Sequence, residues 1–152
     1  MKKMNNKGFS LVELIIVIAI MAILIVVLAP QYLKYVERSR NSTDLQSATE
    51  FKDACEIYAA DPEATTPFEK GDTFEITADK DGASVTGDGA DSVQAALADT
   101  GLSLDNFKCT SRTRWTKIVM EGTVQNNGSI TWDYSGSEGD FATAMGQTAS
   151  TP

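Results

Sequence analysis

Lys7-Gly8-Phe9-Ser10-Leu11-Val12-Glu13 opens an apolar run that continues to Ala29. From Phe9 to Ala29 the run is 21 residues long, and only Ser10 and Glu13 in it are polar. At about 1.5 Å per residue, a helix of that length crosses a bilayer. Lys2, Lys3 and Lys7 lie before it; Pro30 follows it, and the composition then turns polar. Two features set the run apart from an ordinary anchor. Glu13 puts a carboxylate inside it, at an insertion cost of about 2.5–3.5 kcal/mol at a helix centre and less toward an end; such an acid points to a function and a partner. Gly8 puts a small residue directly before it. Were the chain cut after Gly8, the new ammonium of Phe9 would lie one helical turn from Glu13, within reach of that carboxylate in its own chain or in a neighbour.

Gly8-Phe9-Ser10-Leu11-Val12-Glu13 followed by about 20 apolar residues resembles the class III signal of type IV prepilins and their relatives, the pseudopilins. The resemblance covers roughly residues 1–60. It implies that a prepilin peptidase cuts between Gly8 and Phe9, that Phe9 becomes the N-methylated first residue, and that Glu13 acts in assembly. It also implies a membrane assembly platform and its cytoplasmic ATPase as partners. Pro30 stands where many members have a helix-kinking proline. The helix-softening glycine that many carry before it is missing, since the nearby positions are Met21, Ala22 and Ile23.

Two other readings of the run compete. A secretory signal peptide also has a basic start and an apolar core, but that core is shorter and ends at a small-x-small site. A plain single-pass anchor explains the run and the lysines, but neither Gly8 nor Glu13.

The length, 152 residues, suits one domain besides the N-terminal segment. With Phe9–Ala60 mostly helical, about 90 residues remain for a head with a modest core. The formal charge is −8; without Lys2, Lys3 and Lys7, 10 basic residues face 21 acidic ones, a side-chain charge of −11. So acidic a chain argues against indiscriminate nucleic-acid binding. Lysines before the span predict a cytoplasmic N-terminus and an outward-facing C-terminal domain. In that compartment Cys55 and Cys109 are a candidate disulfide, closing a loop of about 55 residues and contributing roughly 4 kcal/mol in the chain-entropy model. Two buried free thiols are the alternative.

Along the chain, residues 1–8 read as a leader, 9–29 as a transmembrane or fibre-core helix, 30–60 as its amphipathic continuation and 61–152 as a β-rich head with a frayed tail over Gly146–Pro152. The first helical half is apolar all round, so lipid or other apolar helices must surround it. Pro30 predicts a kink or local loosening. Leu45, Ala48, Phe51, Cys55 and Tyr58 recur at spacings of three and four and mark a buried face. Asp61-Pro62 ends the helix. Short strands are expected at Thr73–Thr77 and Ala83–Thr86, a short capped helix from Asp91 that stops near Gly101, and a hairpin of Arg114–Val124 and Ser129–Tyr134 around Asn126-Asn127-Gly128. A helix of about 50 residues would be roughly 75 Å long. No 90-residue head covers that, so its apolar half needs membrane or copies of itself.

Other chemistry is sparse. Asp79 and Asp81 in Asp79-Lys80-Asp81-Gly82 are calcium candidates, but Ala90 occupies the position where an EF-hand has its glutamate. Lys108, Arg112, Arg114 and Lys117 surround Trp115; this patch could touch DNA or pair with acids of an adjacent subunit, and in an acidic chain the second reading is preferred. Asn41-Ser42-Thr43 and Asn127-Gly128-Ser129 match the glycosylation sequon. Histidine is absent and no nucleotide-binding, nucleophile-elbow or metal-ligand pattern occurs, which predicts a non-enzyme without cofactor.

The expected fold is α+β, a long N-terminal helix whose second half packs on a small antiparallel sheet through Trp115, Ile118, Ile130 and Trp132. The expected function is a structural subunit of a type IV pilus, anchored in the bacterial cytoplasmic membrane and then polymerised as a homo-oligomeric surface fibre for adhesion, motility or DNA uptake. A pseudopilin of a type II secretion or competence system is the close alternative. A single-pass membrane protein with a ligand-binding exposed domain is the alternative of another class.

Overall fold

A computed structural model describes residues 8–147. The expected leader up to Lys7 and the last residues of the expected tail lie outside them. The chain divides into two compact units, Met1–Val36 and Glu37–Pro152.

Helix α1 (Leu11–Ala59) supplies all the regular structure of the first unit and the longest element of the second. Pro30 lies inside α1 and does not end it; the helix is assigned without a break across that position. Fifteen large apolar side chains between Leu11 and Leu28 are more than half exposed. At about 1.5–3 kcal/mol for each, leaving them in water forgoes roughly 20–45 kcal/mol, more than the whole stability of an ordinary domain. The run is long and apolar enough to cross a membrane, and no residue of its most apolar stretch is buried within the chain.

In the second unit α1 buries Asn41, Asp44, Ala48, Phe51, Ala54, Cys55 and Tyr58, a stripe at the helical spacing. The stripe packs on a four-stranded antiparallel sheet of β1 (Thr73–Ala78), β2 (Ala83–Gly87), β3 (Ile118–Val124) and β4 (Ile130–Asp133), in the order β2-β1-β3-β4. Register places Ile76 opposite Met120 and Ala78 opposite Ile118. All four are fully buried and join Phe51, Cys55 and Trp115 in one core. Phe74 stands opposite Gly122, and its ring lies where a Cβ on Gly122 would be, so that position excludes any side chain. The other face of β3 is covered at Val119 by the segment after β4: Ser137 Oγ accepts from Val119 N at 2.8 Å and donates to Val119 O at 2.9 Å.

The α+β fold is the one expected from the sequence, with differences of detail. Helix α2 (Ala90–Thr100) begins with Gly89 as N-cap and has no side-chain cap; Asp91 lies in its first turn, where its charge suits the helix dipole. Gly101, at φ 75°, ends α2 in the left-handed region. Strand β3 begins at Ile118 rather than Arg114, because residues 110–115 are drawn onto α1 by side-chain acceptors. A 3-10 turn at Leu104–Asn106 and a short helix α3 (Phe141–Ala144) were not foreseen. Phe141 in α3 is fully buried, edge-on to Trp115 at 5.3 Å and to Tyr134 at 6.1 Å.

Candidate functional site

In the first unit, Gly8, Phe9 and Ser10 precede the helix in non-helical backbone, and Phe9 is 93% exposed. Glu13 Oε2 accepts from Ser10 N at 2.8 Å, and Ser10 Oγ accepts from Val12 N at 3.3 Å. Ser10-Leu11-Val12-Glu13 is thus a capping box: the acid three residues into the helix satisfies the amide that the helix leaves unpaired at its start. The pattern was present in the sequence, where Glu13 is read as an assembly residue and a partner for the Phe9 ammonium rather than as a helix cap. Its consequence is that α1 stops short of Gly8-Phe9, and that peptide bond lies in non-helical, exposed chain.

In the second unit, the segment 109–115 is bound to α1 by two carboxylates on one helix face, two turns apart. Asp44, fully buried, accepts from Thr110 N at 2.8 Å, Thr110 Oγ1 at 2.6 Å, Ser111 N at 2.9 Å and Trp115 Nε1 at 2.8 Å. Glu37 Oε1 accepts from Arg112 N at 2.7 Å, Thr113 N at 2.9 Å and Ser111 Oγ at 2.9 Å. The Arg112 amide is the main cause that lowers the Glu37 pKa to about 2, with Thr113 and Ser111 adding to it against a partial loss of hydration. Neither role was legible beforehand, because each carboxylate answers a segment some seventy residues away.

The candidate Cys55–Cys109 disulfide is not formed: both cysteines are free and buried. Cys109 Sγ lies 3.7 Å from Asp44 Oδ2 and 3.7 Å from the Trp115 carbonyl. Cys55 is eleven residues past Asp44 on α1, about 16 Å along the helix from the carboxylate that Cys109 faces. Burial, reinforced by Glu56 for Cys55 and by Asp44 for Cys109, pushes both thiols up to about 12.

Asp79 and Asp81 serve the turn between β1 and β2. Asp79 Oδ1 accepts from Asp81 N at 2.8 Å and Gly82 N at 3.2 Å, which lowers its pKa, and Asp81 pairs with Lys80 at 2.7 Å. Among the described residues no group of three or more acids, cysteines or histidines is placed to hold a metal. The basic patch divides. Arg114 pairs with Asp140 at 2.6 Å and lies over the Trp115 ring at 5.1 Å. Lys108 and Arg112 line an open cleft of about 720 Å³ with Arg40 and Lys80. Of the two sequon asparagines, Asn41 is buried and Asn127 exposed.

Residues 3–29 match the family model described as the prokaryotic N-terminal methylation motif. The fimbrial protein EcpC of Eikenella corrodens is 31% identical over an alignment that takes in 100% of this chain and 97% of that protein. A type IV major fimbrial protein, FimA, of Dichelobacter nodosus is 39% identical over 59 residues, 39% of this chain and 38% of that one. No solved structure matches the chain.

Proposed function

The chain belongs to the type IV pilin family, and from that premise we propose that it is a structural subunit of a pilus, processed at Gly8-Phe9 and polymerised with its apolar helices inside the fibre. The observation that carries this reading is an apolar helix, uncovered within its own chain, whose first part lies within the methylation motif. In a bilayer that surface is covered by lipid; in a fibre it is covered by other copies. Fibre assembly makes the protein a homo-oligomer, and its role is structural.

The finer steps follow from the chemistry of the start of α1. A prepilin peptidase would cut the exposed Gly8-Phe9 bond and methylate Phe9, releasing the lysines that hold the N-terminus at the cytoplasmic face. The new ammonium on Phe9 would then lie beside the helix start. On entry into a fibre, the Phe9 ammonium of one subunit would neutralise Glu13 of another and remove an unpaired charge from an apolar setting. The membrane assembly platform and its ATPase would deliver the work of extracting the helix from lipid. Pro30, which lacks an N–H, marks where α1 could loosen as subunits pack. Surface exposure of the fibre fits adhesion, motility or DNA uptake.

Purified surface fibres from a Glu13→Ala strain test the assembly role. The expected result is a loss of fibres with the protein retained in the membrane; fibres of normal yield and order would contradict it.

A further inference from the structure

The second unit carries unpaired charge of opposite sign at its two ends. One end is set by Arg40 on α1. There Lys108 and Arg112 line the open cleft, and Lys117 directly precedes Ile118, whose register partner Ala78 directly precedes Asp79 of the same cleft. Lys108, Arg112 and Lys117 are exposed and make no ion pair among the described residues. The acids around them are engaged within the subunit: Glu37 by three donors of the 111–113 segment, Asp79 by turn amides, Asp81 by Lys80, Asp140 by Arg114, and Glu138, whose amide donates to Lys117 O, by the Thr116 hydroxyl.

The other end is set by Tyr58, near the C-terminus of α1. Its hydroxyl lies 3.3 Å from Thr65 Oγ1 and accepts from Thr66 N at 3.1 Å. Ser92 Oγ donates to Pro67 O at 3.2 Å, which brings the start of α2 to the same rim. Glu63, Glu69, Asp88 and Asp91 are exposed there without an ion pair among the described residues. Lys70 is the single base between Asp61 and Asp72.

Arg40 and Tyr58 are 18 residues apart on α1, roughly 27 Å. The Debye length at physiological ionic strength is about 8 Å, so the two ends do not compensate each other within one subunit. Each fits the end of another copy. A contact that joins two different faces of identical subunits is head-to-tail, and when its rotation does not close a ring it generates an open helical filament.

We infer that the face that carries Lys108 and Arg112 in the cleft and Lys117 beside it, in one subunit, docks the acidic rim at Glu63, Glu69, Asp88 and Asp91 of another. The partner is a second copy of this chain. The inference rests on the pilus reading, and it adds a polar, directional contact between heads to the apolar packing of the helices. Since both faces are exposed, the contact weakens as salt rises.

Two measurements on intact chains test it. Zero-length carbodiimide coupling of purified fibres, followed by peptide mass spectrometry, is expected to link Lys108 or Lys117 to Glu63, Glu69, Asp88 or Asp91 of a neighbour. In cells, the pair Lys108→Glu with Arg112→Glu is expected to cut sheared fibre yield by about tenfold, as loss of a few complementary charges does. Adding Glu63→Lys with Glu69→Lys in the same chain is expected to restore it. Among the described residues neither cation makes a side-chain hydrogen bond or ion pair, so the reversal breaks none. Wild-type fibres together with a neutral reversal, or lysine links only to other acids, would overturn the contact and leave the pilus reading standing. Retention of double-stranded DNA by fibres through Lys108 and Arg112, with yield unaffected by their reversal, would assign the cleft to nucleic acid instead. A chain that never forms fibres overturns both.

Discussion

Trp115 donates its indole Nε1–H to Asp44 Oδ2 at 2.8 Å, joining residues 71 positions apart in the sequence. Both are buried, Asp44 fully and Trp115 at 2% exposure. The same carboxylate takes up the Thr110 and Ser111 amides, which have no strand partner. Removing it leaves several buried donors unpaired, each at about 1–3 kcal/mol. Asp44→Ala is therefore expected to destabilise the head by about 3 kcal/mol or more. Asp44→Asn, which keeps some acceptor capacity, is expected to cost less. Chemical denaturation of the full chain in detergent, followed by tryptophan fluorescence, measures both; an Ala variant as stable as the parent would contradict the role given to Asp44.

Glu37 contributes to the acid limb of stability, beside Asp79 and Asp133, whose pKa values the fold also lowers. Its folded pKa is lowered to about 2 by the amides of Arg112 and Thr113 and the Ser111 hydroxyl, from an ordinary value of 4.5. Between those values the unfolded chain binds more protons than the folded one, so its contribution is full above about pH 4.5 and is lost as pH falls toward 2. In Glu37→Gln this part of the pH dependence should vanish, leaving a flatter profile between pH 5 and 2. An unchanged slope would show that the 111–113 segment does not hold Glu37 in solution.

The two cysteines should behave as inert thiols. With both pushed up to about 12 by burial, little thiolate exists at pH 8. Iodoacetamide at that pH is expected to leave the native chain unmodified and to alkylate both Cys55 and Cys109 after denaturation without reductant. Failure to alkylate until a reductant is added would establish a disulfide and contradict the placement of Cys109 against Asp44.

Gly122 is a steric requirement of the sheet. Because the Phe74 ring occupies the space of its missing Cβ, Gly122→Ala is expected to cost about 1–3 kcal/mol, the range for an overpacked core. Phe74→Leu in the same chain should recover part of that loss, while full additivity of the two changes would argue against direct contact.

The long helix and its two characters were legible in the sequence because each rests on a local pattern. The uninterrupted apolar run to Ala29 and the three-and-four spacing of Ala48, Phe51, Cys55 and Tyr58 need no knowledge of the rest of the chain. The hairpin around Asn127-Gly128 was legible for the same reason, since a tight turn between two alternating runs specifies itself. Asp44 and Glu37 were not, because their partners are backbone amides of a distant segment and amides leave no mark on composition. The same contacts shortened β3: with Trp115 bonded to Asp44 and its amide facing Ser111 Oγ, residues 114–117 could not join the ladder. Phe141 was hidden in a small, polar stretch, where one aromatic residue gives no periodicity. At the N-terminus, Gly8, Phe9 and Glu13 stood out by chemistry, while the Ser10–Glu13 capping box was visible in the sequence and overlooked.

The most direct test of the account is mass spectrometry of the N-terminus of native protein sheared from the cell surface. A chain that begins at N-methylated Phe9 is the predicted result, since the proposed processing removes the lysines and creates the ammonium proposed to answer Glu13. A chain that begins at Met1 and stays in the membrane fraction would contradict processing and assembly together, and would leave a single-pass membrane protein in their place.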